Sequence, residues 1–193
     1  MNSSTTNLRC LGLMLILAGI PFIGGCGDNT LTWQEEVKLL DGRTITVTQK
    51  RRCESAYTGQ NFTKCISRET WLTIKLPEFG GKDIIWNEKL DPLVVNIHAG
   101  KLYVVGMFPT AREFYLYGKP QPPYVGFRWD GIAWQHIAFA EIPEVLYDGN
   151  TVIDLPPDGT TLLTLEKKSI LNGNRGYPKD VKRIDPAYKS NFH

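Results

Sequence analysis

Residues 124–143 read YVGFRWDGIAWQHIAFAEIP, two aromatic stretches separated by Asp130-Gly131. Short runs of Tyr, Val, Phe and Trp suit a pleated, half-buried surface, and Asp-Gly supplies the turn chemistry that folds one strand back on the next. The stretch is the clearest β-hairpin in the chain, and the same signature recurs on its N-terminal side. In WQEEVKLLDGRTITVTQ (33–49), Val37 and Leu39 precede Asp41-Gly42, and Ile45 and Val47 follow it, each pair at spacing two. This predicts another hairpin, with a type I′ turn. ETWLTIKLP (69–77) sets Leu72, Ile74 and Leu76 on one face before Pro77 ends the strand. PLVVNIHAGKLYVVGMFP (92–109) predicts strands Leu93–His98 and Lys101–Met107 turning at Ala99-Gly100. Such near-continuous apolar runs suit strands covered on both faces.

Further along, AREFYLYGKPQPPY (111–124) is expected to hold a short strand and a proline-rich turn. TVIDL (151–155) and TLLTLE (161–166) are expected as short strands beside the turn formers Asp148-Gly149-Asn150 and Pro156-Pro157-Asp158-Gly159. Many short strands punctuated by Gly and Pro turns predict a single all-β domain, mainly antiparallel, of eight to ten strands, as a sandwich or a partly open barrel. The domain is expected over 33–166. Residues 167–193, with few aliphatics and more cations than acids, form either a polar basic tail or a strap laid over the domain.

The chain has 193 residues, 42% of them hydrophobic and 22% charged, which is enough to build one packed core and excludes wholesale disorder. A formal charge of +2 implies neither nucleic acid nor an acidic polymer as partner. At the N-terminus, one cation, Arg9, precedes the uncharged run from Leu11 to Ile20, which then meets Pro21, Gly24 and Gly25. About 20 apolar residues are needed to cross a bilayer, so this run is short for an anchor and has the layout of a secretory signal peptide.

Ile23-Gly24-Gly25-Cys26 resembles the lipobox of bacterial lipoproteins, an aliphatic residue and two small residues before an obligatory cysteine. The resemblance implies removal of residues 1–25 as a signal peptide by cleavage between Gly25 and Cys26. It also implies a diacylglycerol on the Cys26 sulfur, and residues 26–32 as a lipidated tether. Two or three acyl chains, at roughly 0.8 kcal/mol per buried methylene, anchor a chain without spanning. In that family an Asp directly after the cysteine favours inner-membrane retention; here the position is Gly27, which implies the outer membrane of the cell envelope.

With Cys10 lost and Cys26 acylated, Cys53 and Cys65 remain, and an oxidising compartment pairs them as a disulfide closing a polar loop. The three histidines, His98, His136 and His193, lack metal-ligand spacing, and no GxSxG, GxxxxGK[ST] or GxGxxG motif occurs. No metal or cofactor is expected. His98 with Asp91 or Glu141 is a candidate general base, although a histidine at a strand end is more often structural. Trp129 and Trp134, flanking the clearest turn, are a candidate binding surface, although such a pair is more often a cross-strand packing contact. Two functions follow. The first is a lipid-anchored envelope lipoprotein whose non-catalytic β domain binds a protein or glycan partner. The alternative is a small periplasmic hydrolase or polysaccharide-modifying enzyme whose site no motif reveals.

Overall fold

Alternation of apolar and polar residues at spacing two builds most of the structure, a computed structural model that describes residues 29–58, 61–153, 155–174 and 183–190. The first sheet takes its strands in the order β4-β3-β2-β1-β9: β1 Asn29–Lys38, β2 Thr44–Thr58, β3 Asn61–Lys75, β4 Asp83–Glu88 and β9 Leu162–Leu163. The second is β5 Asp91–His98, β6 Lys101–Met107, β7 Tyr124–Trp129 and β8 Trp134–Ile137, in that order. Every pairing is antiparallel except β1 with β9. The sheets face each other as a sandwich and neither closes into a barrel, which decides between the two architectures the sequence left open.

Between the sheets lie Val37, Val47, Leu72, Ile74, Ile84 and Trp86 from the first, and Val95, Leu102, Val104, Val125 and Phe127 from the second. The second sheet has a further apolar face. Leu93, Val94, Tyr103 and Val105 pack there against Ile142, Leu146, Tyr147 and Ile184, from segments laid across the sheet. Burial on both faces accounts for the unbroken VV pairs of β5 and β6. The approach is close at Gly126, where a Cβ would stand 2.7 Å from Ile142 Cγ1.

The two early turns differ in kind. Ala99 and Gly100 both have positive φ (49° and 72°), the type I′ geometry of a two-residue loop. At Asp41-Gly42 only Gly42 does (87°), and the Gly42 N–H donates to the Leu39 carbonyl at 3.1 Å. The turn is a three-residue loop closed by a glycine bulge, rather than the type I′ expected there.

Four further expectations are corrected. Residues 111–116 form a helix, α1, and not a strand. Thr110-x-x-Glu113 is a helix-start pattern, and Phe114 turns inward to meet the Phe108 ring edge-on at 5.4 Å. Within TVIDL, residues 151–153 are irregular because the Asn150 side chain takes a strand's place at the β5 edge. Its Oδ1 accepts from Val95 N at 2.9 Å, and its Nδ2 donates to Val95 O at 2.7 Å and to Lys38 O at 3.0 Å. TLLTLE gives only the two residues of β9 before helix α2, Leu165–Asn174. Strand β1 begins at Asn29, four residues ahead of the expected Trp33. Beyond 166, Lys168 and Ile184 are buried, and Ile184 N donates to Tyr147 O at 2.8 Å, so these described parts of the region pack on the domain.

Candidate functional site

The inner face of the first sheet changes character along its length. At one end Val37, Leu39 and Val47 are apolar, but toward Asn29 the inward positions of β2 become Gln49, Arg51 and Cys53, all buried. Across β1 they are joined by Glu35, which is 0% exposed and ion-paired to Lys168 Nζ of α2 at 2.9 Å. The Glu35 carboxylate also accepts from Val152 N at 2.9 Å and from the Gln49 amide. Gln49 Oε1 in turn accepts from Arg51 Nε at 3.3 Å and Nη2 at 3.2 Å. The Arg51 guanidinium lies 5.1 Å from the Trp33 ring centroid, and its Nη1 stands 3.4 Å from Asp91 Oδ1 on β5. A buried chain Lys168–Glu35–Gln49–Arg51–Asp91 therefore ties α2, the first sheet and the second sheet together. Burying ionised groups is costly unless each is partnered, and here alternating charge supplies the partners.

This chain ends in a cleft of about 190 Å³ where the sheets part, lined by Arg51 and Asp91, by Ser67 beside the disulfide, and by Thr110 ahead of α1. Asp91 Oδ1 is buried there with no hydrogen-bond partner among the described residues. Ser67 Oγ is engaged with Thr70 Oγ1 at 3.1 Å. Arg68 stands nearby, bridging Glu54 at 2.7 Å and Glu113 at 2.9 Å, while the Thr110 hydroxyl donates to Glu113. A wider cleft of about 370 Å³ is lined by Glu69, Asn87, Glu88, Lys89, Leu116 and Tyr117. Its carboxylates are occupied: Glu69 by Arg52 at 3.3 Å and Asn87 at 3.2 Å, Glu88 by the Tyr117 hydroxyl at 2.5 Å. Burial, reinforced by that hydrogen bond, pushes the Tyr117 hydroxyl well above its ordinary range.

Of the residues singled out from the sequence, Cys26 and the Gly25–Cys26 bond lie outside the described residues, as does His193. Cys53 and Cys65 form the disulfide, with Cα atoms 4.8 Å apart. The bridge braces a hairpin and does not close a loop. It joins the arms of β2 and β3 between two bulges, and pairing continues beyond it to Thr58 opposite Asn61. In the unfolded chain the bridge still closes a covalent ring, and for a ring of this size replacing Cys53 by serine is expected to lower the unfolding free energy by about 3 kcal/mol in the chain-entropy model. Urea unfolding of the variant and of the reduced wild type, each against the oxidised wild type, measures it.

Trp129 and Trp134 oppose each other as the last pair of β7 and β8, ring centroids 5.5 Å apart and edge-on. Both are half-buried against the inter-sheet core. Trp134 Nε1 donates to Ile85 O at 3.0 Å, which latches the edge of the second sheet to the edge of the first. Ile132, 89% exposed, projects from the turn between them. That turn is fixed by Asp130 Oδ1, which accepts from Ile132 N and Ala133 N, both at 2.8 Å; the bond from Ala133 and then that from Ile132 hold the Asp130 carboxyl below the usual range.

The two described histidines stand apart from each other and from the acids considered with His98. His98 ends β5 while Asp91 begins it, and Glu141 binds the Ala138 N–H at 3.1 Å. His136 stacks on Phe127 at 5.4 Å. Among the described residues no group of three or more His, Cys, Asp or Glu is arranged to hold a metal ion. No protein-family model matches the chain, and comparison with curated proteins and with solved structures finds no match.

Proposed function

We propose that this chain is a bacterial envelope lipoprotein, acylated on Cys26 after cleavage behind Gly25, whose β domain binds a protein or glycan partner without catalysing a reaction. The observation that carries the reading is the distance in sequence from the lipobox-like Ile23-Gly24-Gly25-Cys26 to the first strand. Asn29 is already paired with Cys53, three residues beyond Cys26. The hydrophobic leader stops where the domain starts, which is the arrangement of an anchored domain. Gly27 in the position after the cysteine supports the outer membrane over the inner.

Binding is favoured over catalysis by the contents of the two clefts. Neither is lined by histidine, and, apart from Asp91 Oδ1, which faces Arg51 Nη1 at 3.4 Å without a hydrogen bond, the hydroxyls and carboxylates named in them are hydrogen-bonded to other protein groups. The end of the sandwich remote from Asn29 carries Ile132 exposed between Trp129 and Trp134, an apolar tip with aromatic rings behind it, suited to contact with a partner.

Cells expressing the wild type or Cys26→Ala are to be labelled with tritiated palmitate and fractionated. Label on the wild type alone, in the membrane pellet, with the variant released in soluble form, is the expected result. Unlabelled soluble wild type would overturn the anchoring reading. Cys53→Ser is expected to remain labelled and membrane-bound, because its cysteine braces the domain and does not attach it.

A further inference from the structure

The chain of charges that crosses the sandwich ends at the cleft where the sheets part, and its last two members are incompletely matched. Arg51 Nε and Nη2 both donate to Gln49 Oε1, at 3.3 and 3.2 Å, which leaves the N–H groups of Nη1 for the cleft. Nη1 stands 3.4 Å from Asp91 Oδ1, close enough for the charges to attract but without a hydrogen bond. Oδ1 is buried and has no hydrogen-bond partner among the described residues. A buried acceptor left unmatched is costly, so the arrangement calls for a third group between the two.

That pair discriminates among ligands by charge. An anion would meet the Asp91 carboxylate and a cation the Arg51 guanidinium; the two charges offset each other and neither sign is favoured. A neutral hydroxyl meets both demands at once, since its hydrogen donates to Oδ1 and its lone pairs accept from Nη1. With hydrogen bonds of about 2.8 Å on each side, its oxygen closes a triangle on the 3.4 Å base. The cleft, at about 190 Å³, is smaller than the roughly 300–1,000 Å³ of sites for drug-sized ligands and several times the roughly 30 Å³ share of one water in the liquid. That is the room of one small ring. Ile66, Pro109, Ile153 and Leu155 give it apolar walls for C–H groups, and the hydroxyls of Ser67 and Thr110 border the same space. Hydroxyls beside apolar C–H faces on one small ring are the chemistry of a neutral sugar.

We propose that this cleft is the binding site for a single neutral hexose unit of a glycan, one of whose hydroxyls bridges Arg51 Nη1 and Asp91 Oδ1. The inference deepens the non-catalytic binding reading and rests on it, taking glycan over protein as the partner at this cleft. Gln49, held by Glu35, and the Trp33 ring, centred 5.1 Å from the guanidinium, fix Arg51 before a ligand arrives, so little ordering opposes binding.

The test uses the full-length protein in detergent and, as probes, the methyl α- and β-glycosides of D-glucose, D-galactose, D-mannose and N-acetyl-D-glucosamine. Titrations followed by saturation-transfer NMR report binding, and the same spectra report methanol if a glycoside is cleaved. The wild type is compared with Asp91→Asn, which removes the charged acceptor, and with Ile66→Phe, which fills the cleft and leaves Arg51 and Asp91 in place. Urea unfolding establishes that each variant is folded. The expected result is saturation transfer from the wild type to at least one glycoside, binding about tenfold or more weaker in Asp91→Asn, as for loss of a hydrogen bond to a charged group, and no binding in Ile66→Phe. No transfer to any glycoside means that water alone fills the cleft; it overturns the sugar site and leaves a non-catalytic protein binder standing. Equal binding by the wild type and both folded variants puts the sugar elsewhere on the domain and overturns the site, with a glycan partner retained. Methanol release overturns the non-catalytic reading and, with it, the inference.

Discussion

Glu35→Leu is expected to lower the unfolding free energy by about 3–5 kcal/mol, the range for removing one partner of a buried ion pair. The cost arises from what remains. Lys168 Nζ, itself buried, loses its counter-charge at 2.9 Å and keeps only the Asn150 carbonyl at 2.7 Å. Val152 N and the Gln49 amide lose their acceptor, and Gln49 in turn positions Arg51. The variant thus leaves a buried ammonium and two buried donors short of partners, each costing more unsatisfied than its bond contributed when made. Replacing Lys168 by methionine alone exposes the opposite fault, an uncompensated carboxylate. The pair Glu35→Leu with Lys168→Met removes both charges, and its loss is expected to be smaller than the sum of the single losses. Urea unfolding of the four proteins in a double-mutant cycle measures this coupling, and strict additivity would show that the chain of charges acts as separate contacts.

That buried chain was not legible in the sequence, and the reason is physical. Alternation in QEEVK and TVTQKRRCE shows which residues share a face, but it does not say which face is covered when both faces carry charge. Glu35 and Glu36 are adjacent acids; the sheet turns the first wholly inward, and its partner arrives from Lys168, 133 residues away. The apolar half of the same sheet was legible, because Leu72, Ile74 and Leu76 can be buried only on one side. The turns were legible as positions and less so as types, since Asp-Gly fits both a two-residue loop and a glycine bulge, and the choice depends on strand register. The helix at 111–116 had a readable start in Thr110-x-x-Glu113, outweighed by the aromatics and prolines that follow. In the candidate site, the cysteine pairing followed from chemistry and counting. The cleft between Arg51 and Asp91 did not, because it is assembled where two sheets separate.

Trp86→Ala is expected to cost about 3–5 kcal/mol, the range for emptying a buried aromatic site, whereas Trp86→Phe is expected to cost less than about 1.5 kcal/mol. Trp86 is fully buried on β4, meets the Phe127 ring edge-on at 5.5 Å, and so carries the contact between the edge strand of one sheet and the middle of the other. Gly106 on β6 holds that approach open: a Cβ there would stand 3.4 Å from the Trp86 ring and 2.9 Å from Leu90 Cβ, so the backbone cannot close in to refill a void. The cavity left by alanine therefore persists, and its cost is added to the lost transfer energy. Phenylalanine keeps most of the ring contact, and it also removes an indole N–H that is buried without an acceptor among the described residues. Deleting an unsatisfied donor offsets part of the lost volume. Thermal and urea unfolding of both variants decide the matter. A large loss for phenylalanine would mean that the indole nitrogen has a partner, such as an ordered water, and that this corner of the core is wet rather than dry.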